Sequence, residues 1–511
     1  MSSGPRPPIW WSGAGQRVDT WIGSHEVRLL VLACLLVIWR AWISPLPSSF
    51  WIDETGTVWA IRGNIHEVIS RLQNHLFPQM PVFVLLMWGW SQIAGLSESA
   101  LRIPLVVASI GSTFTIYALG KRLLGQRAGL YAAVVLMTLS HFDFAAADAR
   151  AYALAVFCLI ATLFWRVRLQ EAGRSFHAVL YGLGCGLCVN LIYFFAVALV
   201  ADVLYLGIAW KKGWIHPRKR LILAWLIAFL MFLPLVPTLR IITHQSDIHI
   251  VAAGVPSWTD LGVSLLPPRW IVAALPASIC VGLLYRRRLA MCLSGTKPTL
   301  AMILSWATVP QLLLFIYSLV SHHSVYLPRY LLGSSPGIAL IGGYLLSCLE
   351  PVVWRASIAG ILAAITIVGQ GWTLWTNHYI EDWRSGSEVI TRIRKQQPAT
   401  QLLVVSSYVE SAHLPMPAEP GADYDFMLSP LRTYLVPGES PILLPVEMTD
   451  RNVGYVRSVM EHASREDHFL MLVPTASPLL PWVLGYLDAH FEVRRLHANP
   501  VVLEVFRNRI S

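Results

Sequence analysis

Two adjacent carboxylates, Asp53 and Glu54, follow the first long apolar run of the chain. Ionisable side chains at the edge of a membrane are costly unless they are paired or hydrated, so they mark candidate functional sites. Carboxylates can take a proton from an acceptor hydroxyl or amine, and arginines can hold a phosphate leaving group through bidentate hydrogen bonds. Further charged residues lie at the ends of later apolar runs, at Arg102, Asp148, Arg150 and Arg329. Their aromatic neighbours are Trp51, Tyr152 and Tyr330.

Each of these positions also has a purely structural interpretation. Asp53 and Glu54 could cap a helix at the membrane surface. Asp148 and Arg150 could form a local ion pair. Arg102 and Arg329 each begin a span, and their side chains could extend to the membrane–water interface. The functional interpretation depends on four separate sites that the topology brings to one face of the membrane, beside an apolar belt that would receive a lipid tail.

Membrane spans must position these residues. Of the 511 residues, 55% are hydrophobic and only 13% are charged, and the mean hydropathy is +0.55. Several apolar runs have roughly the 18 to 22 residues that cross a bilayer as a helix. We predict a polytopic α-helical membrane protein with about 11 transmembrane helices. The candidate spans are 27–43, 101–119, 128–145, 150–168, 176–191, 192–210, 219–240, 269–285, 298–320, 330–349 and 354–376.

Basic clusters fix the predicted topology. An excess of Lys and Arg marks cytoplasmic loops, and such clusters occur at 121–127, 166–174, 211–220 and 286–288. The apolar segment 80–94 does not fit the alternation, since a full crossing there would move every later basic loop outside. We therefore expect this segment to lie along or dip into the outer face. It would belong to one external loop, 44–100, that contains juxtamembrane helices. Residues 1–26 form a polar leader, which is predicted to be cytoplasmic.

The composition changes after about residue 380. The stretches "QLLVVSS", "FLMLVP" and "VVLEVFR" predict short buried strands, and they alternate with stretches of helical period such as "SEVITRIRKQQ". This alternation predicts a small extracytoplasmic α/β domain over 380–511, after a transmembrane domain over 27–379. No Gly-rich phosphate loop is visible, which argues against a nucleotide-sugar enzyme.

Short motifs occur in a specific order along the chain. They are "DE" at 53–54, "WSQIAGLSESALRIP" at 90–104, "GKRLLGQRAGL" at 120–130, "DARAYAL" at 148–154, "PRYLLGSSPGIAL" at 328–340 and "DWR" at 382–384. In order and spacing they resemble the GT-C superfamily of membrane glycosyltransferases. The resemblance is to the bacterial branch of the protein O-mannosyltransferase family (glycosyltransferase family 39) and to its lipid A aminoarabinose transferase relatives.

The resemblance implies a GT-C-like fold and a polyprenyl-phosphate sugar as donor, attacked with inversion at its anomeric carbon. It implies that Asp53 is the catalytic base and that Glu54 and Asp148 orient the acceptor or tune the base. The arginines at 102, 150 and 329, beside Tyr152 and Tyr330, would bind the lipid-linked phosphate. Alignment on Trp90 places Gln79 where relatives often carry a cationic or metal-ligating residue. We include Gln79 among the substrate-site candidates and assign no cofactor; a metal is possible, but this position does not support one.

The predicted function is an inverting glycosyltransferase on the outer face of a bacterial inner membrane, with no nucleic-acid partner. The sequence does not define the acceptor, which could be a protein, a lipid or a glycan. The main alternative is a transporter or flippase of lipid-linked saccharides. A transporter should place its charges near mid-membrane and show paired half-repeats, whereas these charges lie at span ends. A third possibility is an inactive scaffold that binds polyprenyl lipid.

Overall fold

A computed structural model of the protein describes residues 12–72, 80–215, 219–244, 254–285, 290–291, 296–322, 324–369, 381–417, 421–435 and 441–507. The chain divides into two compact units. The first unit comprises Met1–Ser44, Ile103–Pro234 and Ala253–Leu374. The second unit comprises Pro45–Arg102, Leu235–Ala252 and Trp375–Ser511.

Helices dominate the described residues. In chain order the α-helices are α1 (Ser12–Val37), α2 (Ile52–Ile61), α3 (Ile65–Leu72), α4 (Pro81–Ala94), α5 (Glu98–Leu124), α6 (Gln126–Thr138), α7 (Ser140–Ala146), α8 (Tyr152–Ala172), α9 (Ser175–Leu191), α10 (Ala196–Lys211), α11 (Lys219–Phe232), α12 (Val236–His244), α13 (Trp258–Leu265), α14 (Pro268–Tyr285), α15 (Lys297–Ser321), α16 (Ser335–Ser347), α17 (Val352–Gly369), α18 (Trp383–Gln396), α19 (Ala422–Met427), α20 (Ser429–Tyr434), α21 (Val453–Ala463) and α22 (Leu480–His490). A π-helical turn, Ile38–Ile43, follows α1.

The strands of the described residues form two sheets. They are β1 (Ala290–Met291), β2 (Leu349–Glu350), β3 (Gln401–Val405), β4 (Ile442–Leu444), β5 (His468–Val473), β6 (Phe491–Ala498) and β7 (Val501–Arg507). β1 and β2 pair antiparallel, and the other five strands form a sheet in the order β4-β3-β5-β7-β6. β3 is parallel to both β4 and β5, whereas β7 is antiparallel to β5 and β6. The three strands predicted from the sequence are thereby confirmed as β3, β5 and β7.

The protein is a multi-pass membrane protein with candidate spans in the first unit and in α5. Six helices among the described residues are long and apolar enough to cross a membrane, or up to eight if each of two bent pairs is one span. The bent pairs are α6 with α7, at 73°, and α13 with α14, at 54°. The total of about 11 spans therefore stays a prediction. α4 has only 14 residues, fewer than a helix needs to cross a bilayer.

The helices of the first unit approach one another closely at glycines. A methyl group added at Gly343 of α16 would lie 2.4 Å from the backbone nitrogen of Ala132 in α6. One added at Gly337 would lie 2.2 Å from the backbone nitrogen of Ala307 in α15. Small residues at such contacts let helix backbones pack closely. Close packing matters most inside a membrane, where the hydrophobic effect does not drive helices together.

Residues 12–26 of the predicted leader are helical, because α1 begins at Ser12 and continues into the first apolar run. Glu26, the last residue of that leader, is buried. Its carboxylate accepts hydrogen bonds from Nε of Arg355 at 2.6 Å and from the hydroxyl of Tyr131 at 2.7 Å. The leader is therefore joined to α6 and α17 within the first unit.

In the second unit, helices cover the five-stranded sheet. Leu403, Met471 and Leu503 of the central strands form one buried cluster with Val456 of α21 and Val483 of α22. The same unit contains α2, α3 and α4, which fall within the predicted external loop, and α20 packs against α2. The first loop and the C-terminal residues thus form one compact unit.

Candidate functional site

The second unit carries Asp53 and Glu54 in the first turn of α2. Glu54 is fully buried, whereas Asp53 is partly exposed. The carboxylate of Glu54 accepts a hydrogen bond from the backbone N–H of Trp51 at 3.2 Å, which satisfies a free donor at the start of the helix. A negative charge in the first turn is also favoured by the helix dipole. The two neighbouring carboxylates therefore occupy different environments.

Arg102 is the ion-pair partner of Glu54. Both side chains are 0% exposed, and Nε of Arg102 donates to Oε1 of Glu54 at 2.8 Å. The remaining guanidinium donors reach four carbonyl oxygens at the start of the loop, those of Pro45, Leu46, Ser48 and Ser49. A guanidinium with this many bonds is well suited to hold the loop in place. Arg102 and Glu54 therefore bond each other and the loop within the second unit, and their roles toward substrate stay a prediction.

A second ion pair joins the "DWR" motif to the first loop. Nε of Arg384 donates to Oε1 of Glu98 at 3.1 Å, and its Nη2 also donates to the carbonyl oxygen of Pro47 at 2.8 Å. Burial alone would lower the pKa of Arg384, but the bonds to Glu98 raise it. Asp382 caps α18 by accepting from the N–H and the hydroxyl of Ser385. The motif therefore fixes the start of α18 against the loop that precedes α2.

In the first unit, Asp148, Arg150 and Tyr152 lie in the turn between α7 and α8. Asp148 is 0% exposed, and its carbonyl oxygen accepts from the N–H of Arg150 at 2.7 Å. Tyr152, the first residue of α8, is largely buried. The turn thus places a carboxylate, a guanidinium and a phenol within five residues of the chain, as the sequence predicts.

Arg329 and Tyr330 lie on an aromatic cluster of the first unit. The guanidinium carbon of Arg329 is 5.4 Å from the centre of the Tyr330 ring. That ring lies 4.1 Å from Phe194, which lies 4.2 Å from Tyr193. Tyr152 and Arg329 lie within electrostatic range of Tyr193. The structure therefore brings together the predicted residues 152, 329 and 330 around two aromatic residues that the sequence reasoning missed.

Sequence reasoning also missed Arg269, in the first turn of α14. Its Nη1 is buried and has no hydrogen-bond partner among the described residues. Nε1 of the next residue, Trp270, is also buried and has no hydrogen-bond partner within the described ranges. A buried donor without an acceptor is costly, so its site suits a ligand with acceptor oxygens. The signal was present, because Arg269 begins an apolar run as Arg102 and Arg329 do.

The predicted site residues belong to both units. The first unit contains Asp148, Arg150, Tyr152, Arg329 and Tyr330, and the second contains Asp53, Glu54 and Arg102. Gln79 lies outside the described residues. Within the described ranges, no group of three or more His, Cys, Asp or Glu side chains could hold a metal ion.

The chain has the fold of the GT-C membrane glycosyltransferases, and the resemblance indicated by the motifs is confirmed. The model of the family described as dolichyl-phosphate-mannose-protein mannosyltransferase matches residues 78–237. No curated protein matches the chain in sequence.

Solved structures support the same fold. ArnT from Cupriavidus metallidurans in the apo state has a TM-score of 0.56 and 13% identity, over 94% of this chain and 98% of that one. ArnT bound to undecaprenyl phosphate also has a TM-score of 0.56, with 12% identity, over 95% of this chain and 99% of that one. The apo oligosaccharyltransferase of Archaeoglobus fulgidus has a TM-score of 0.52 and 14% identity, over 88% of this chain and 70% of that one.

Proposed function

We propose that the protein is an inverting glycosyltransferase that takes a sugar from a polyprenyl-phosphate carrier on the outer face of a bacterial inner membrane. The observation that carries the proposal is the contrast between its two adjacent carboxylates. Glu54 is buried and paired with Arg102, whereas Asp53 is partly exposed beside it. A general base must reach its substrate, and of the two only Asp53 has that access.

The proposed reaction exchanges one bond at the anomeric carbon for another. The acceptor hydroxyl or amine attacks this carbon from the face opposite the phosphate, and its proton passes to the carboxylate of Asp53. The bond between the anomeric carbon and the phosphate oxygen breaks, and polyprenyl phosphate leaves with the bonding electrons. Cationic donors aimed at the departing phosphate stabilise the charge that develops on it.

Arg329 and Arg269 are the proposed ligands of this phosphate. Arg269 has a buried donor without a partner among the described residues. Arg329 lies over Tyr330 beside an aromatic cluster that could contact the first isoprenoid units. ArnT of the same fold binds undecaprenyl phosphate, which supports a lipid-phosphate donor here. We expect Arg269→Gln to weaken binding of undecaprenyl phosphate about tenfold or more, as the loss of a charged hydrogen bond implies.

The test is sugar release from a panel of radiolabelled polyprenyl-phosphate sugars by the purified protein. Asp53→Asn removes the base at constant size. Asp450→Asn makes the same change at an exposed carboxylate of the second unit and is the matched control. We expect the wild type and the control to turn over one donor, and Asp53→Asn to lose turnover while it still binds lipid. Equal turnover by Asp53→Asn and wild type would show that Asp53 is not the base.

The proposal includes the topology. Residues 44–100 and 380–511 would face outward, so that the second unit lies on the donor side. Asp450→Cys in intact cells should react with a membrane-impermeant maleimide, and protection until the cells are lysed would contradict this orientation. The transporter alternative gains no support from the structures of similar fold. It would be favoured only if the protein released sugar from no donor but moved lipid-linked saccharide across a vesicle membrane.

A further inference from the structure

We propose that Tyr408 and Tyr434, both in the C-terminal part of the chain, are positioning residues that hold the backbone immediately before the candidate base, Asp53. The inference rests on the proposed function, because it assigns a purpose to the C-terminal part in the same reaction. Both tyrosines and the base belong to the second unit.

Tyr434, at the end of α20, holds the chain before α2. Its hydroxyl oxygen accepts a hydrogen bond from the backbone N–H of Phe50 at 2.7 Å. The same hydroxyl donates to Oε1 of Glu98 at 2.9 Å. Glu98 in turn is paired with Arg384. Phe50 lies three residues before Asp53. Through Tyr434 it is connected to the carboxylate of Glu98, which is itself held by Arg384.

Tyr408 holds the first turn of α2. Its hydroxyl donates to the carbonyl oxygen of Ile52 at 2.9 Å and lies 3.3 Å from the hydroxyl of Thr55. Ile52 and Thr55 lie on either side of Asp53 and Glu54 in the chain. Burial raises the pKa of Tyr408, and the negative charge of Asp53 raises it further. The phenol therefore stays protonated and can donate, within electrostatic range of the carboxylate that it would position.

These bonds matter because a base works only within a narrow range of positions. A displacement of about 1 Å at a catalytic group can lower the rate about a hundredfold. α2 is a short helix of 10 residues, and its first turn follows a loop without regular secondary structure. In the second unit, the tyrosine hydroxyls hold the start of this turn through the backbone atoms of Phe50 and Ile52.

The test compares three tyrosine-to-phenylalanine variants of the full-length protein. Tyr408→Phe and Tyr434→Phe each remove one hydroxyl and keep the ring in place, where Tyr408 lies 4.2 Å from Phe426. Tyr455→Phe is the matched control, because its hydroxyl donates to the carbonyl oxygen of Leu443 at 2.9 Å, within the sheet region. Each of the three variants loses one hydroxyl group whose hydrogen bonds lie within the second unit.

Two measurements are made on each variant. The first is hydrogen–deuterium exchange of the peptide that covers residues 50–62, where we expect protection to fall about fivefold in the two test variants, the factor for one lost hydrogen bond. The second is steady-state kinetics, where we expect kcat to fall about tenfold or more, since the base is displaced. KM for the lipid donor should stay within about twofold, because substrate contacts are kept. The control should change neither quantity.

Unchanged protection of residues 50–62 in both test variants would overturn the proposal, and so would increased exchange with wild-type kcat. An equal loss of kcat in Tyr455→Phe would show a general stability effect and would also overturn it. If the wild type turns over no donor, the proposed function fails by itself. The exchange data alone then decide whether the tyrosines hold the segment.

Discussion

Replacing Glu54 by glutamine tests how much the second unit depends on its buried ion pair. The substitution removes the charge and keeps the size of the side chain. It leaves the guanidinium of Arg102, which is 0% exposed, without a carboxylate partner. In the wild type the guanidinium donors face an anion, whereas in the variant they would face an amide N–H₂ group or a neutral oxygen. Two hydrogen bonds to Oε1 and Oε2 are weakened or lost.

The expected loss of unfolding free energy is about 3 kcal/mol. Removing one partner of a buried pair typically costs about 3 to 5 kcal/mol, because the other charge stays buried. Arg102 keeps its bonds to the carbonyl oxygens of the loop, which offset part of that cost and place the value at the lower end. The reverse variant, Arg102→Met, removes these bonds as well and should be more destabilising than Glu54→Gln.

The assay is chemical unfolding in mixed micelles, followed by tryptophan fluorescence. Glu67→Gln is the matched control, because Glu67 lies 4.0 Å from Arg71 with its side chain 51% exposed. Exposed pairs contribute at most about 1 kcal/mol. Similar losses for Glu54→Gln and Glu67→Gln would refute the reasoning, and so would an Arg102→Met variant as stable as wild type.

Three further predictions concern other parts of the chain. Burial raises the pKa of Glu381 from 4.5 to about 7. The folded protein then holds this proton more tightly than the unfolded chain, so its stability should fall as the pH rises between these values, and Glu381→Gln should flatten that slope in unfolding titrations. Gly343→Ala should lower the thermal unfolding temperature strongly, since the methyl group would overlap a backbone nitrogen of α6, whereas Gly360→Ala meets no atom within 4 Å and should be neutral or stabilising. Asp202→Ala should cost about 3 to 5 kcal/mol of unfolding free energy in the same micelle assay, because it leaves the buried Arg166, 3.1 Å away, without its carboxylate.

Each of these expectations has a contrary result. A pH slope that survives Glu381→Gln would assign the titration to another group. Equal unfolding temperatures for the two alanine variants would show that α6 and α16 can separate without cost. An Asp202→Ala variant as stable as wild type would mean that Arg166 finds other acceptors once the carboxylate is gone.

Sequence patterns predicted the elements whose signal is local. Hydropathy located α5, α8 and α15 because a long apolar run with few charges has few alternatives to a helix. β3, β5 and β7 were predictable because short runs of buried apolar residues between turns are typical of strands. β4 has only three residues and β6 has a largely exposed face, so neither carries a comparable signal.

The partners of the site residues were harder to predict. Charged residues at span ends were sufficient to select Glu54 and Arg102 but not to show that they bind each other, since 48 residues separate them. Tyr434 contacts Phe50 across 384 residues, and no periodicity or composition encodes such a contact. The tertiary partners of these residues therefore came from the structure, whereas their roles in the reaction stay predictions.

Helix geometry explains how adjacent carboxylates can differ in role. Successive side chains on an α-helix point about 100° apart, as 3.6 residues per turn requires. In the first turn of α2, one carboxylate can therefore face the interior while its neighbour remains accessible. The pair of Glu54 with Arg102 also ties the first turn of α2 to the loop before it, because Arg102 donates to the carbonyl oxygen of Ser48 as well. Loss of that pair should accordingly displace Asp53, so Glu54→Gln should lower turnover in addition to lowering stability, and turnover equal to that of the wild type would contradict this.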